Sequence, residues 1–189
     1  MRRLDPRECA VLVIDVQERL VAAMPSDQVA EITRAATILV DAAARLGARV
    51  LATEQYPAGL GPTIAPVAAE LTRAGVTPIA KVEFSACDNH DFERALARVL
   101  QEQRTRAAIV VGMEAHVCVF QTVRDLSARG IEVLVPVDGV ASRRDDHRAA
   151  GIELCRAAGA TITTMETVVF DWLGRAGTDA FKHLSKRIR

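Results

Sequence analysis

The sequence predicts an α/β fold: a three-layer, doubly wound, mainly parallel sheet of six strands with helices on both faces. Three observations predict it. Six short runs rich in apolar and β-branched residues recur along the chain. Most of these runs are apolar nearly throughout rather than alternating, as parallel strands covered on both faces must be. Between them lie segments whose apolar residues repeat at helical spacing and whose ends fall at glycines.

In chain order, strands are expected over residues 10–14, 49–53, 78–81, 107–112, 132–137 and 160–163. Between the first two, Val29, Ile32, Ala36, Leu39, Val40, Ala43 and Leu46 form one apolar stripe of a helix over 27–46, with Gly47 as its stop. Asp88 or Asn89 can cap a helix running to Leu100. A further helix is expected over 117–129, closed by Gly130. Ser142 is the expected cap of another that runs to Ala158 and stops at Gly159. Residues 166–184 read as helix broken near Gly174–Gly177. The Pro- and Gly-rich stretch 56–66 reads as a surface loop. Its Gly59-Leu60-Gly61 is a turn rather than a phosphate loop, because the third glycine is missing and Pro62 follows. With no linker, repeat or low-complexity tract, residues 1–189 are expected to form one domain.

Composition narrows the function classes. Half of the 189 residues are apolar, enough for a substantial core without metals or disulfides. Lys plus Arg and Asp plus Glu each number 24, so no long-range field draws the chain to nucleic acid or an anionic membrane. Aromatic residues make up only 4%, which argues against base-stacking surfaces. The first apolar run, 10–14, is too short and too soon charged for a signal peptide, and no stretch is long enough to span a bilayer. A cytoplasmic location is therefore expected. Cys9, Cys87, Cys118 and Cys155 are scattered without a CxxC pair, so free thiols are expected rather than disulfides or a zinc cluster.

Ligands of open α/β sheets bind outside the carboxyl ends of the strands. Asp15 closes the first expected strand, Glu54 and Gln55 follow the second, and Lys81 ends the third. The fourth runs into Gly112-Met113-Glu114-Ala115-His116-Val117-Cys118, which places a thiol at the opening of a helix. An acid, an amine and a thiol thus share one edge of the sheet. A helix N-terminus and a nearby ammonium both favour the thiolate. Asp15 can accept the thiol proton and later return one to a leaving amine, while Lys81 stabilises both anions. Backbone N–H groups at the helix start can face a developing oxyanion. Each residue also has a purely structural reading. Cysteines are commonly buried, a carboxylate after a strand can be a cap, and Lys81 can be the first exposed residue of a loop. His116 lies two residues from Cys118 and diverges from it on a helix, so it reads as a surface or pocket-lining residue rather than the thiol's base.

At these positions the sequence resembles the isochorismatase-like cysteine hydrolase family over nearly its whole length. The resemblance rests on VLVIDVQERL at 11–20, TEQYPAGLGPT at 53–63, AKVEFSAC at 80–87, VVGMEAHVCVFQTVRDL at 110–126 and VDGVASR at 137–143. The TEQYP and GMEAHVC wording is similar to the isochorismatase domain-containing protein branch. The resemblance implies a Rossmann-like sheet and a catalytic triad of Cys118, Asp15 and Lys81. It implies an oxyanion hole formed by the backbone N–H groups of Glu114 and Cys118, after a cis Met113–Glu114 bond. Nicotinamidases of the superfamily carry a metal-binding Asp-x-His motif after the second strand. Here Glu54-Gln55-Tyr56 stands in its place, so no catalytic metal and no cofactor are expected. Retention of the cysteine favours acyl chemistry, most simply hydrolysis of a small amide through a thioester. Around the triad, Gln17, Gln55, Tyr56, Phe84 and His116 are the expected substrate-binding residues. Relatives self-associate, so a homo-oligomer acting on a small molecule is expected, with neither nucleic acid nor membrane as partner. Two other readings stand beside it: hydrolysis of an isochorismate-like ether or ester with Asp15 as acid, and a non-catalytic oligomeric scaffold. Cys87, Asp88, His90 and Asp91 resemble a ligand set, but Asp88 and Asn89 are better used as caps. The basic tail KHLSKRIR reads as a solvated helix end.

Overall fold

A computed structural model describes residues 3–102 and 105–189. Its strands are Cys9–Ile14 (β1), Arg49–Gln55 (β2), Ile79–Lys81 (β3), Ala107–Met113 (β4), Glu132–Pro136 (β5), Val140–Ala141 (β6) and Thr161–Thr163 (β7). They form one seven-stranded sheet in the order β3-β2-β1-β4-β5-β7, with β6 paired to the end of β4. Every pairing between these strands is parallel. The predicted α/β class and the six predicted strands are borne out, and β6 is the addition. It is only two residues long, too short to show as an apolar run.

The pleat divides the core. Cys9, Val11 and Val13 of β1 pack into one hydrophobic cluster, while Ala10, Leu12 and Ile14 pack into the other. Both faces of this central strand are therefore covered, which is why its sequence is apolar without alternation. The first face is covered by Ser26–Leu46 (α2), Ala65–Arg73 (α4), Met165–Leu173 (α8) and Asp179–Ile188 (α9). The second is covered by His90–Glu102 (α5), Phe120–Ala128 (α6) and Asp145–Ala157 (α7). Each fully buried Leu or Ile on these faces contributes about 1.5–3 kcal/mol from apolar area removed from water. Two single-turn helices, Glu18–Val21 (α1) and Pro57–Leu60 (α3), complete the set.

Three local expectations are corrected. The 56–66 stretch is not a plain loop. It contains α3, its Thr63 bridges Gln17, and α4 begins at Ala65 with Pro66 in the first turn. Proline is tolerated there because the first helical N–H groups have no intrahelical partner anyway. Ser142 does not cap α7. Its N–H donates to Gln28 Oε1 at 3.0 Å, its hydroxyl meets His116 Nδ1 at 3.1 Å, and Arg144 occupies the cap position. The helix expected from Val117 begins as an α-helix only at Phe120, after a π-helical turn over Ala115–Val119. Of the two candidate caps for α5, Asn89 serves, its Oδ1 accepting from the N–H groups of Asp91 and Phe92 at 3.1 Å each. The break near 174–177 is present: α8 ends at a left-handed Gly174, and Thr178 caps α9.

Candidate active site

The strand order reverses between β1 and β4, because β2 and β3 extend the sheet to one side of β1 and β4 starts the other. The crevice beyond the carboxyl ends of such a pair is where doubly wound sheets bind ligands. Asp15 follows β1 with φ of 54°, a left-handed conformation that aspartate tolerates better than most residues. Gly112, near the end of β4, lies directly against it. A Cβ there would sit 2.1 Å from the Ile14 carbonyl oxygen, so only glycine lets the two strand ends come this close.

Asp15 and Lys81, 66 residues apart in sequence, form an ion pair of 2.7 Å with both side chains fully buried. The other carboxylate oxygen accepts from the Thr53 hydroxyl at 2.7 Å. Lys81 Nζ also reaches Gln55 Oε1 at 2.6 Å and the carbonyls of Glu83 and Phe84 at 3.1 and 3.4 Å. A buried charge pair persists only when such extra bonds satisfy its remaining donors and acceptors. Here they do.

Cys118 lies in the π-helical turn after β4 and is 6% exposed. Its thiol lies within electrostatic reach of both Asp15 and Lys81. Burial pushes the thiol up to about 12, and the Asp15 charge adds to the rise while Lys81 opposes it. Burial thus opposes the thiolate that the helix start and the ammonium favour. Lys81 is too fully engaged with Asp15 to offset burial, so the resting group is a protonated thiol beside a carboxylate.

The turn itself is held from outside. The Met113–Glu114 peptide is cis. The Glu114 carbonyl accepts from the N–H groups of Val117 and Val119 at 3.0 and 3.2 Å. Its carboxylate accepts from Arg143 Nε at 3.1 Å and from the Arg143 backbone N–H at 3.3 Å. Strand β6 pairs Val140 and Ala141 with Gly112 and Met113. Helix α7 presses on the turn at Gly151, where a Cβ would meet the Ala115 carbonyl carbon and His116 nitrogen at 2.6 Å.

The five other expected site residues fall into two groups. Gln17 is fully buried, and its amide is spent on the backbone. It donates to the carbonyls of Gln55 and Gly61 at 3.0 and 2.6 Å and accepts from the Gln55 N–H at 2.7 Å. Gln55 bridges Lys81 and the Val82 carbonyl, the latter at 2.8 Å. Both are struts under the site. Tyr56 and Phe84 are exposed beside the lysine: Tyr56 N–H donates to the Lys81 carbonyl at 2.7 Å, and the Phe84 carbonyl accepts from Lys81 Nζ. His116 is half-buried, its ring 4.7 Å from that of His147, and burial holds its pKa below the ordinary value. Sequence reasoning missed Thr53, Arg143 and Gly151. Thr53 was within reach of it, since a hydroxyl residue beside Ile14 in a parallel register adjoins Asp15.

Glu54, at the place of the metal-binding aspartate, instead accepts from the backbone N–H and hydroxyl of Thr63 at 2.7 Å each. Among the described residues, no group of three His, Cys, Asp or Glu side chains is gathered as a metal site, and no helix is long and apolar enough to cross a membrane. The four cysteines are free and buried.

A three-layer α/β fold with thiol, carboxylate and amine converging at the topological switch point defines a hydrolase-type site. The isochorismatase domain model matches residues 9–167, and the chain belongs to the isochorismatase family. Among curated relatives, the secreted isochorismatase effector Isc1 of Phytophthora sojae is 33% identical, over 99% of this chain and 87% of that one. Human isochorismatase domain-containing protein 2 is 32% identical, over 99% of this chain and 86% of its own. The MAR1 ribonuclease structure from Caenorhabditis elegans superposes with a TM-score of 0.88 at 34% identity, covering 99% of this chain and 92% of that one.

Proposed function

We propose that this isochorismatase-family hydrolase cleaves a small amide, with Cys118 as nucleophile, Asp15 as acid and base, and Lys81 as charge partner. The observation that carries the reading is the sealed Asp15–Lys81 pair at 2.7 Å, whose two charges both act on the Cys118 thiol at the switch-point crevice.

The protonated resting thiol sets the order of events. Asp15 takes the thiol proton as sulfur attacks the amide carbon, so no free thiolate need accumulate in a site that disfavours it. The oxyanion forms against the N–H groups of Glu114 and Cys118. Asp15 then gives its proton to the leaving nitrogen, the C–N bond breaks, and ammonia departs from the acyl-thioester. Water attacks the thioester, losing its proton to Asp15. The C–S bond breaks, and Asp15 returns the proton to sulfur. The sum is amide plus water to acid plus ammonia. Lys81 holds Asp15 in place by their 2.7 Å contact throughout the cycle. Glu54 and Gln55 are engaged with Thr63, Lys81 and Val82, which supports a reaction that uses no metal at the second strand end. Cysteines that form no disulfide support a cytoplasmic setting.

The test is ammonia release from a panel of primary amides, with Cys118→Ala as control. Turnover should be abolished in the variant, and a thioester on Cys118 should be trapped by mass spectrometry in the wild type. Turnover that survives Cys118→Ala would refute the mechanism. One observation favours a second reading: the 34% identical relative is named a ribonuclease. RNA cleavage that depends on His116 and His147, with no amide consumed, would support that reading instead.

A further inference from the structure

The surroundings of the triad restrict what can approach it. Lys81 has three N–H donors and four acceptors, namely Asp15, Gln55 and the carbonyls of Glu83 and Phe84, so none is left for a substrate. The Arg143 Nε is held by both oxygens of Glu114, at the head of the nucleophile turn. His116 is kept neutral at ordinary pH by its burial. Glu83, on the loop that wraps Lys81, is half-buried and held below the usual carboxylate range, first by its hydrogen bond from Asn89. Asp15 is paired with Lys81 and Glu114 with Arg143, and Glu83 stands near Lys81 as a third carboxylate against these two cations. The approach is thus neutral to negative.

The apolar side chains point the same way. Among the described residues five large hydrophobic side chains are exposed, and three of them, Tyr56 at 57%, Val82 at 67% and Phe84 at 56%, flank Lys81 in the two segments that end at the triad. Tyr56 is held in place by its backbone bond to the Lys81 carbonyl, and Val82 by the Gln55 amide on its own carbonyl. A soluble surface has little reason to gather apolar groups at one point unless something apolar meets them there.

We propose that the site is selective for uncharged primary amides with an apolar acyl chain, that Tyr56, Val82 and Phe84 set this specificity, and that carboxylate-bearing amides are excluded. The proposal rests on the amidase reading above. A dicarboxylate of the isochorismate type meets the same exclusion.

Pentanamide and succinamate are close in length and differ in a terminal carboxylate. Wild-type kcat/KM should favour pentanamide by at least about 100-fold, the size expected when a charge must enter a site with no partner for it. Phe84→Arg supplies the missing cation and should shift that ratio toward succinamate by at least about tenfold, mostly through KM. Protection of Cys118 from alkylation gives a second readout that needs no turnover: pentanamide should protect and succinamate should not. Equal use of both amides through Cys118, or equal protection, would overturn the specificity while leaving the amidase reading intact. Pentanamide turnover that persists in Cys118→Ala would overturn the amidase reading itself.

Discussion

Replacing Lys81 by methionine isolates the electrostatic logic of the site. The stem length is kept and only the cation is lost. Asp15 then remains in a fully buried position with the Thr53 hydroxyl as its side-chain partner at 2.7 Å. Breaking a buried pair by removing one partner costs about 3–5 kcal/mol, because the surviving charge is left uncompensated. For a chain of this length each kcal/mol moves the melting temperature by about 2–4 °C, so Lys81→Met should melt roughly 6–20 °C lower. The double variant Asp15→Asn/Lys81→Met removes both charges. Asn still accepts from Thr53, and the half-exposed Gln55 amide, having lost the lysine, can turn to water. It should therefore recover at least about 2 kcal/mol relative to Lys81→Met. Urea titrations of the wild type, both single variants and the double variant supply the cycle. If Lys81→Met lies within about 0.5 kcal/mol of the wild type, or if the double variant is less stable than Lys81→Met, the pair is not the desolvated ion pair described here.

Two further outcomes follow from other titrating groups. Alkylation of Cys118 by iodoacetamide should be slow at neutral pH and climb with pH toward about 12 without an earlier plateau, and Lys81→Met should slow it further because Lys81 opposes the rise; a plateau near pH 7 would show a resting thiolate. Asp41 on α2 binds His183 and Arg187 of α9 at 2.7 and 2.6 Å and Arg45 at 2.7 Å; burial alone would raise its pKa, but these three bonds bring it below the ordinary 3.8. A depressed folded pKa contributes stability above the unfolded value and loses it as pH falls through the folded one, so α9 amides should lose hydrogen-exchange protection below about pH 4, and Asp41→Asn should show the loss at neutral pH.

The parts of the fold that were legible in the sequence are those fixed by burial on both faces. Strands β1 and β4 and helix α2 announce themselves because each packs apolar residues continuously or at one period. What the sequence hid depends on partners distant in the chain. Strand β6 exists only because the turn at Val137–Gly139 brings Val140 beside Gly112. Helix α4 was masked by Pro66, whose meaning depends on whether it falls in a first turn or a loop. Ser142 was read from its neighbours as a cap, yet Gln28, 114 residues away, takes its N–H. The burial of Cys118 is hidden in the sequence for a related reason. A list of nearby charges favours the thiolate, but burial, which the list omits, outweighs them.

The convergence of the three candidate side chains was legible because chain order and strand order conspire. Asp15 and Cys118 follow β1 and β4, which are neighbours across the switch point. Lys81 ends β3, with all of β2 between it and Asp15. Two strand spacings amount to roughly 9–10 Å, so its ammonium must cross above the end of β2 to reach the carboxylate. The hydrogen bonds trace that crossing: Gln55, at the end of β2, is bound by the lysine beside its bond to Asp15. A shorter side chain at the end of β3 would stop over β2. This reach explains why the residue is lysine, and why Gln55 and the loop carbonyls of Glu83 and Phe84 surround a cation that has come so far from its own strand.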